Sequence, residues 1–211
     1  MAEIMPNNLQ WYISQRWEEY SGEARANFLR LLCIMVFYWI HLINFFGLSW
    51  GPLEFPKVVD AQLHKAITFL TLSWTLLGCL VLLCVKKKIF PHQLKFVSTG
   101  FDVVMLTTIL NVADGIRSPL IVSYFLIIAL SAIRLSAALV WFSTSGAILG
   151  YLVLMVAARI KAEPKIPHYY SLIFLAALAL CGFLLAQLLK RLRLISEDYH
   201  HRRTLNPGGI L

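Results

Sequence analysis

Residues 119–158 read PLIVSYFLIIALSAIRLSAALVWFSTSGAILGYLVLMVAA, a run in which Arg134 is the one charged side chain. As a single helix rising about 1.5 Å per residue it would be roughly 60 Å long, about twice the thickness of a bilayer's hydrocarbon. The run therefore has to turn back on itself. Its polar break is AIRLSAAL, residues 132–139, where Arg134 can reach the headgroup region and Ser136 can cap the helix that follows. The stretch resolves into two antiparallel membrane helices, the fourth and fifth of the chain.

The neighbouring stretches divide in the same way. Upstream, Asp114-Gly115 is turn chemistry, and Ser118-Pro119 supplies an N-cap and a first-turn proline for the fourth span. A third apolar run covers Lys95 to Ala113, a second runs from Leu63 to Val85 and stops at Lys86-Lys87-Lys88, and a first runs from Asn27 to Gly47. A sixth, Tyr169 to Leu189, is entered from KAEPKIPH and left through KRLR. Of the 211 residues 59% are hydrophobic and 14% charged, and the mean hydropathy is +0.70, far from a soluble domain. The fold expected is an all-α polytopic membrane protein with six transmembrane helices. An amphipathic cytosolic segment covers residues 1–26, the membrane domain residues 27–189, and a short basic cytosolic tail residues 190–211.

Lysine and arginine set the expected orientation. With both termini inside, Arg16, Arg25, Arg30, Lys86, Lys87, Lys88, Lys95, Arg134, Lys190, Arg191, Arg193, Arg202 and Arg203 face the cytosol, 13 of the 19 basic residues, as the positive-inside rule prefers. The formal net charge of +8 is accounted for by anionic headgroups at that face and calls for no nucleic acid. The first 26 residues show no signal-peptide pattern; Leu9, Ile13, Trp17 and Tyr20 recur at helical spacing, which suits a helix on the membrane surface or a docking face for a protein partner. The four cysteines, Cys33, Cys79, Cys84 and Cys181, all fall within apolar runs and form no CxxC pair, so apolar packing is the expectation.

An ionised group in hydrocarbon is costly unless it is paired, so Asp102 needs a partner. The third span places it about 10 Å from the inner boundary, and Arg134 lies near the inner end of the antiparallel fourth span. The sequence thus predicts an Asp102–Arg134 pair, either a latch between helices or a proton or ligand site. Tyr38, His41 and Asn44 share one face of the first span, and Thr68, Thr71 and Thr75 one face of the second. Thr107, Thr108 and Asn111 sit in the outer half of the third. These residues can line an outward-facing pocket or simply hydrogen-bond between helices. His41 has no evident mate at its own depth, since His64 falls at the outer start of the second span and His92 at the inner interface, so no haem, metal or other cofactor is assigned. Gly146 and Gly150 form a GxxxG in the fifth span, a motif for close helix packing within the chain or for a homodimer. No Walker loop, HExxH, nucleophile elbow or broken transporter helix is present, so no catalytic residues are assigned and an enzyme is not expected.

The stretch FDVVMLTTILNVADGIRSPLIVSYFLIIALSAIRLS, residues 101–136, resembles the membrane input region of bacterial sensor histidine kinases and of some membrane adenylate cyclases. The matching positions are Asp102, Gly115, Ser118, Pro119, Tyr124 and Arg134, and the likeness extends more loosely to the six-helix layout. The resemblance implies a multi-pass sensor module of a bacterial inner membrane. Such kinases continue from the last span into a phosphoacceptor domain; here about two helical turns of continuation are expected before Asn206-Pro207-Gly208-Gly209, and His200 and His201 lack the acceptor motif. The implied activity is relay of a stimulus to a separate partner chain at the cytosolic face. A structural subunit of a larger membrane complex ranks second and a small transporter or channel third.

Overall fold

The computed structural model describes residues 7–50, 53–55, 57, 59–87, 93–161 and 167–205; side chains are described for all of these except 7–20, 48–50, 53–55, 193 and 196–205. Helix α1 runs unbroken from Asn7 to Phe46. It ends at Gly47, whose φ of 71° and N–H bond to the Ile43 carbonyl (3.0 Å) make the left-handed helix stop that a residue without Cβ adopts cheaply. Strands β1 (Leu48–Trp50) and β2 (Leu53–Phe55) follow and pair antiparallel, Leu48 opposite Phe55 and Trp50 opposite Leu53. This small hairpin sits within an otherwise all-helical fold, as expected: Leu-Ser-Trp and Leu-Glu-Phe alternate apolar and polar residues around Gly-Pro, a strand pattern too short to register beside the long apolar runs.

Helix α2 (Ala61–Lys86) starts at Asp60, whose carboxylate accepts the Gln62 N–H at 3.3 Å. Helix α3 spans Leu94–Val112. The Asp114-Gly115 turn is present, with Gly115 at φ 60°. Ser118 Oγ then accepts the Leu120 N–H at 3.3 Å and Pro119 occupies the first turn, although what they open is a short 3-10 turn, Pro119–Val122, which leads into α4, Ser123–Ile133. The predicted break at Arg134 is real: α4 stops at Ile133 and α5 runs from Ala137 to Ile160. With no glycine available, Leu135 takes the left-handed conformation itself, at φ 52°, a strain of about 1–2 kcal/mol. Ser136 sits at the N-cap in extended conformation, but its hydroxyl makes no capping bond; its carbonyl instead receives the Leu139 and Val140 N–H groups.

Helix α6 runs from His168 to Leu205. It extends more than four turns beyond Leu189, not about two, because nothing before Asn206-Pro207 breaks it. Five helical segments are long and apolar enough to cross a membrane: Ser21–Phe46, Ala61–Lys86, Leu94–Val112, Ala137–Ile160 and His168–Leu192. The fourth expected span, Pro119–Ile133, is shorter. Lys88, His92, Lys165 and the 206–209 stop lie outside the described residues, as do the side chains of Leu9, Ile13, Trp17, Tyr20, His200 and His201.

Helix α5 is the centre of the bundle and packs on α3, α4 and α6, while α1 and α2 pair with each other and reach the rest through α4 and α3. Leu106 and Leu110 of α3, Tyr124 and Ile128 of α4, Val140 and Leu154 of α5 and Leu178 of α6 fill the core. Small residues allow the closest approaches. A Cβ on Gly146 would stand 3.3 Å from Val103 Cγ2, and one on Gly182 would overlap the Thr144 side chain. The exposed apolar residues, among them Phe69, Leu76, Leu149 and Leu184, are the surface such a bundle offers to lipid.

Candidate functional site

Where the α1–α2 pair meets the core, four charged side chains are buried together. Arg30 Nη2 lies 2.7 Å from Asp102 Oδ2, and Arg134 Nη2 lies 2.9 Å from Glu23 Oε1; the four side chains are 3–5% exposed. The expected direct pairing of Asp102 with Arg134 is therefore corrected. Arg30 of α1 takes the carboxylate, and Arg134, one layer nearer the helix ends, is held by Glu23 of the same α1. The reason is length along the bundle. Arg134 follows the last residue of α4 and meets the first turn of α3, whereas Asp102 stands two turns further in, level with Arg30.

Each member has further partners. Trp74 of α2 donates its indole N–H to Asp102 Oδ1 at 2.7 Å. Arg30 Nη1 donates to Asn27 Oδ1 at 2.9 Å, and Asn27 Nδ2 donates to the Gly78 carbonyl of α2 at 2.8 Å. A Cβ at Gly78 would stand 2.7 Å from Leu31 Cδ2, so a glycine is what lets α1 approach α2 there. Arg134 Nη1 donates to Thr99 Oγ1 at 2.7 Å and to the Lys95 carbonyl at 3.1 Å. Ser98 Oγ accepts one bond from each arginine, both at 3.4 Å, and thereby joins the two ion pairs into one network.

The network sits over the first turns of α3, the positive end of that helix's dipole. Two guanidinium groups there are unfavourably placed by the backbone field, and the two carboxylates offset their charge. Among the described residues, three buried polar atoms lack an aligned hydrogen-bond partner: Glu23 Oε1, Arg30 Nε and Arg134 Nε. Glu23 Oε1 makes its close contact with Arg134 without hydrogen-bond alignment.

Trp74 tests the geometry simply. Trp74→Phe keeps an aromatic ring on α2 but removes a donor to a buried carboxylate, and is expected to lower stability by about 1.5–3 kcal/mol, measured by reversible denaturant unfolding in mixed micelles.

The other predicted polar positions are dispersed. Tyr38 and Thr68 hydrogen-bond across α1 and α2 at 3.1 Å, and Thr107 meets Tyr124 across α3 and α4 at 2.8 Å. Asn44, Thr75 and Thr108 donate to carbonyls four residues earlier in their own helices, and Thr71 is buried. The Asn111 carbonyl receives Lys161 Nζ. His41 does have a mate: His64 Nδ1 stands 3.1 Å from His41 Nε2. The long α1 and the Gly47 stop bring His64, at the start of α2, level with His41 near the end of α1. Glu23, Asn27, Arg30 and Trp74 were not among the predicted site residues. Glu23, Asn27 and Arg30 lie at i, i+4 and i+7, and that one-face spacing is the signal that locates them. No family model, curated protein or solved structure matches this chain.

Proposed function

We propose that this chain is a non-enzymatic sensor module of the bacterial inner membrane, with both termini in the cytosol. A stimulus in the membrane or at its outer face shifts the α1–α2 pair against the α3–α6 core, and α6 carries the shift inward to a signalling protein. The observation that supports this most is the buried network of Glu23, Arg30, Asp102 and Arg134. It bridges the two halves of the bundle at their seam, with its two ion pairs joined through Ser98. Two packings that differ in how such a network is paired can lie within a few kcal/mol of each other, which is what a stimulus needs in order to shift a population. The long α6, continuous from His168 to Leu205, supports the inward half of the relay.

The test is a distance measurement. Spin labels at Lys86, at the end of α2, and Leu192, on α6, are both on exposed positions and can be placed in a cysteine-free chain in lipid nanodiscs. Neutralising the central pair with Arg30→Gln/Asp102→Asn is expected to add a second distance population displaced on the order of 1–5 Å. An unchanged single distance with lowered stability would reduce the network to a latch. Co-purification from native membranes in fixed stoichiometry with an enzyme complex would instead make the chain an assembly subunit.

A further inference from the structure

We propose that His41 and His64 form a binding site for one divalent late transition-metal ion of the Zn2+ or Cu2+ class, which staples α1 to α2 beside the connection between them. His41 Nε2 and His64 Nδ1 are 3.1 Å apart. Their ring planes lie within 8° of each other and their centroids 5.3 Å apart. The centroid distance exceeds the nitrogen distance by about the width of one ring, so the imidazoles meet edge to edge in nearly one plane. Their facing nitrogens are the point of contact; an ion bound to both sits to one side of the line that joins them, so each ring tilts toward it on binding.

The spacing distinguishes between ligation modes. With metal–nitrogen bonds of about 2.0–2.1 Å, two nitrogens on one ion are about 3.3 Å apart in a tetrahedral site and about 2.9 Å apart at neighbouring corners of an octahedron. Ligands on opposite sides of an ion stand about 4 Å apart. The observed 3.1 Å falls between the two adjacent arrangements and excludes the opposed one, which is the arrangement two axial histidines would need on a haem. For both facing nitrogens to offer lone pairs, His41 must carry its proton on Nδ1 and His64 on Nε2. In the hydrogen-bonded pair one ring already has that tautomer, and the other moves its proton to its outer nitrogen.

The surroundings hold the rings in place. Phe45 stacks on His64 with centroids 3.8 Å apart and planes within 9°, and Lys57 lies 5.3 Å over Phe45. One turn deeper, Tyr38 packs beside His41 with ring centroids 6.0 Å apart and ties α1 to α2 through Thr68. Among the described residues no third histidine, cysteine or carboxylate joins the pair. Among the described residues two ligands are thus supplied, with the other positions open to water.

The experiment uses the full chain purified without a histidine tag, in a His200→Ala/His201→Ala background so that the adjacent histidines of the tail do not contribute. Cu2+ is titrated and followed by electron paramagnetic resonance, with Zn2+ as competitor. The expected result is one Cu2+ per chain with two-nitrogen hyperfine structure, displaced by Zn2+. The affinity should fall at least about tenfold in His41→Gln and in His64→Gln, variants that retain hydrogen-bonding capacity, and persist in His168→Ala. Circular dichroism and gel filtration establish that each variant is folded. A pair that serves only as an interhelical hydrogen bond gives no saturable Cu2+ signal, or one unchanged by both glutamine substitutions, and either result overturns the site.

Discussion

Replacing Asp102 with alanine is expected to destabilise the bundle by about 3–5 kcal/mol, the cost of leaving Arg30 in the interior without its counter-ion. The arginine is held 2.7 Å from the carboxylate and is 3% exposed, so water cannot take the place of the lost acid without reopening the seam. Reversible unfolding in mixed micelles measures the loss. The double variant Arg30→Leu/Asp102→Ala should recover most of it, because it removes both charges together and leaves apolar volume behind. A double-mutant cycle identifies the partner: the coupling of Asp102 to Arg30 should exceed its coupling to Arg134, and the opposite order would contradict the pairing described here.

The second large effect is at Gly150. A Cβ there would stand 2.6 Å from Thr107 Oγ1 and 2.7 Å from the Tyr124 hydroxyl, nearer than real Cβ contacts come. Those two hydroxyls are themselves engaged with each other at 2.8 Å. Gly150→Ala therefore has to push α5 away from both α3 and α4, and is expected to lower stability by about 3 kcal/mol, the upper end for overpacking. Gly146→Ala meets only Val103, at 3.3 Å, and should cost under about 1 kcal/mol. The two halves of one GxxxG are thus expected to respond very differently in the same unfolding assay. Equal responses would mean that the motif faces something other than α3 and α4.

Much of the helical layout was legible because it follows from length and apolarity alone. Asp102 was legible as a buried acid in need of a partner, and the turns at Gly115 and Arg134 were legible from their residue types. The partner was not, because the positive-inside count places Arg30 among the cytosolic charges and Glu23 falls within residues 1–26, the expected cytosolic segment. Starting the first span at Asn27 places Glu23 outside it, whereas α1 runs unbroken from Asn7 to Phe46 and carries both residues. The positive-inside rule asks only which side a charge lies on, and says nothing about charges that helix packing draws into the interior. His64 was missed for a related reason. Depth was judged from span boundaries, and the hairpin at Leu48–Phe55 takes up part of the connection and lets α2 begin at Ala61, beside the end of α1. A short strand pair is set by turn chemistry over a few residues and is nearly invisible to hydropathy.

The buried network also has an electrical consequence. A single charge moved across a membrane gains or loses about 2.3 kcal/mol per 100 mV, which is how voltage drives a conformational change. Two carboxylates and two guanidinium groups that travel together carry no net charge through the field. A shift of α1 against the core displaces Glu23 and Arg30 together, one acid with one base, and so moves no net charge of this network through the field. These buried charges therefore give such a shift little direct coupling to the membrane potential.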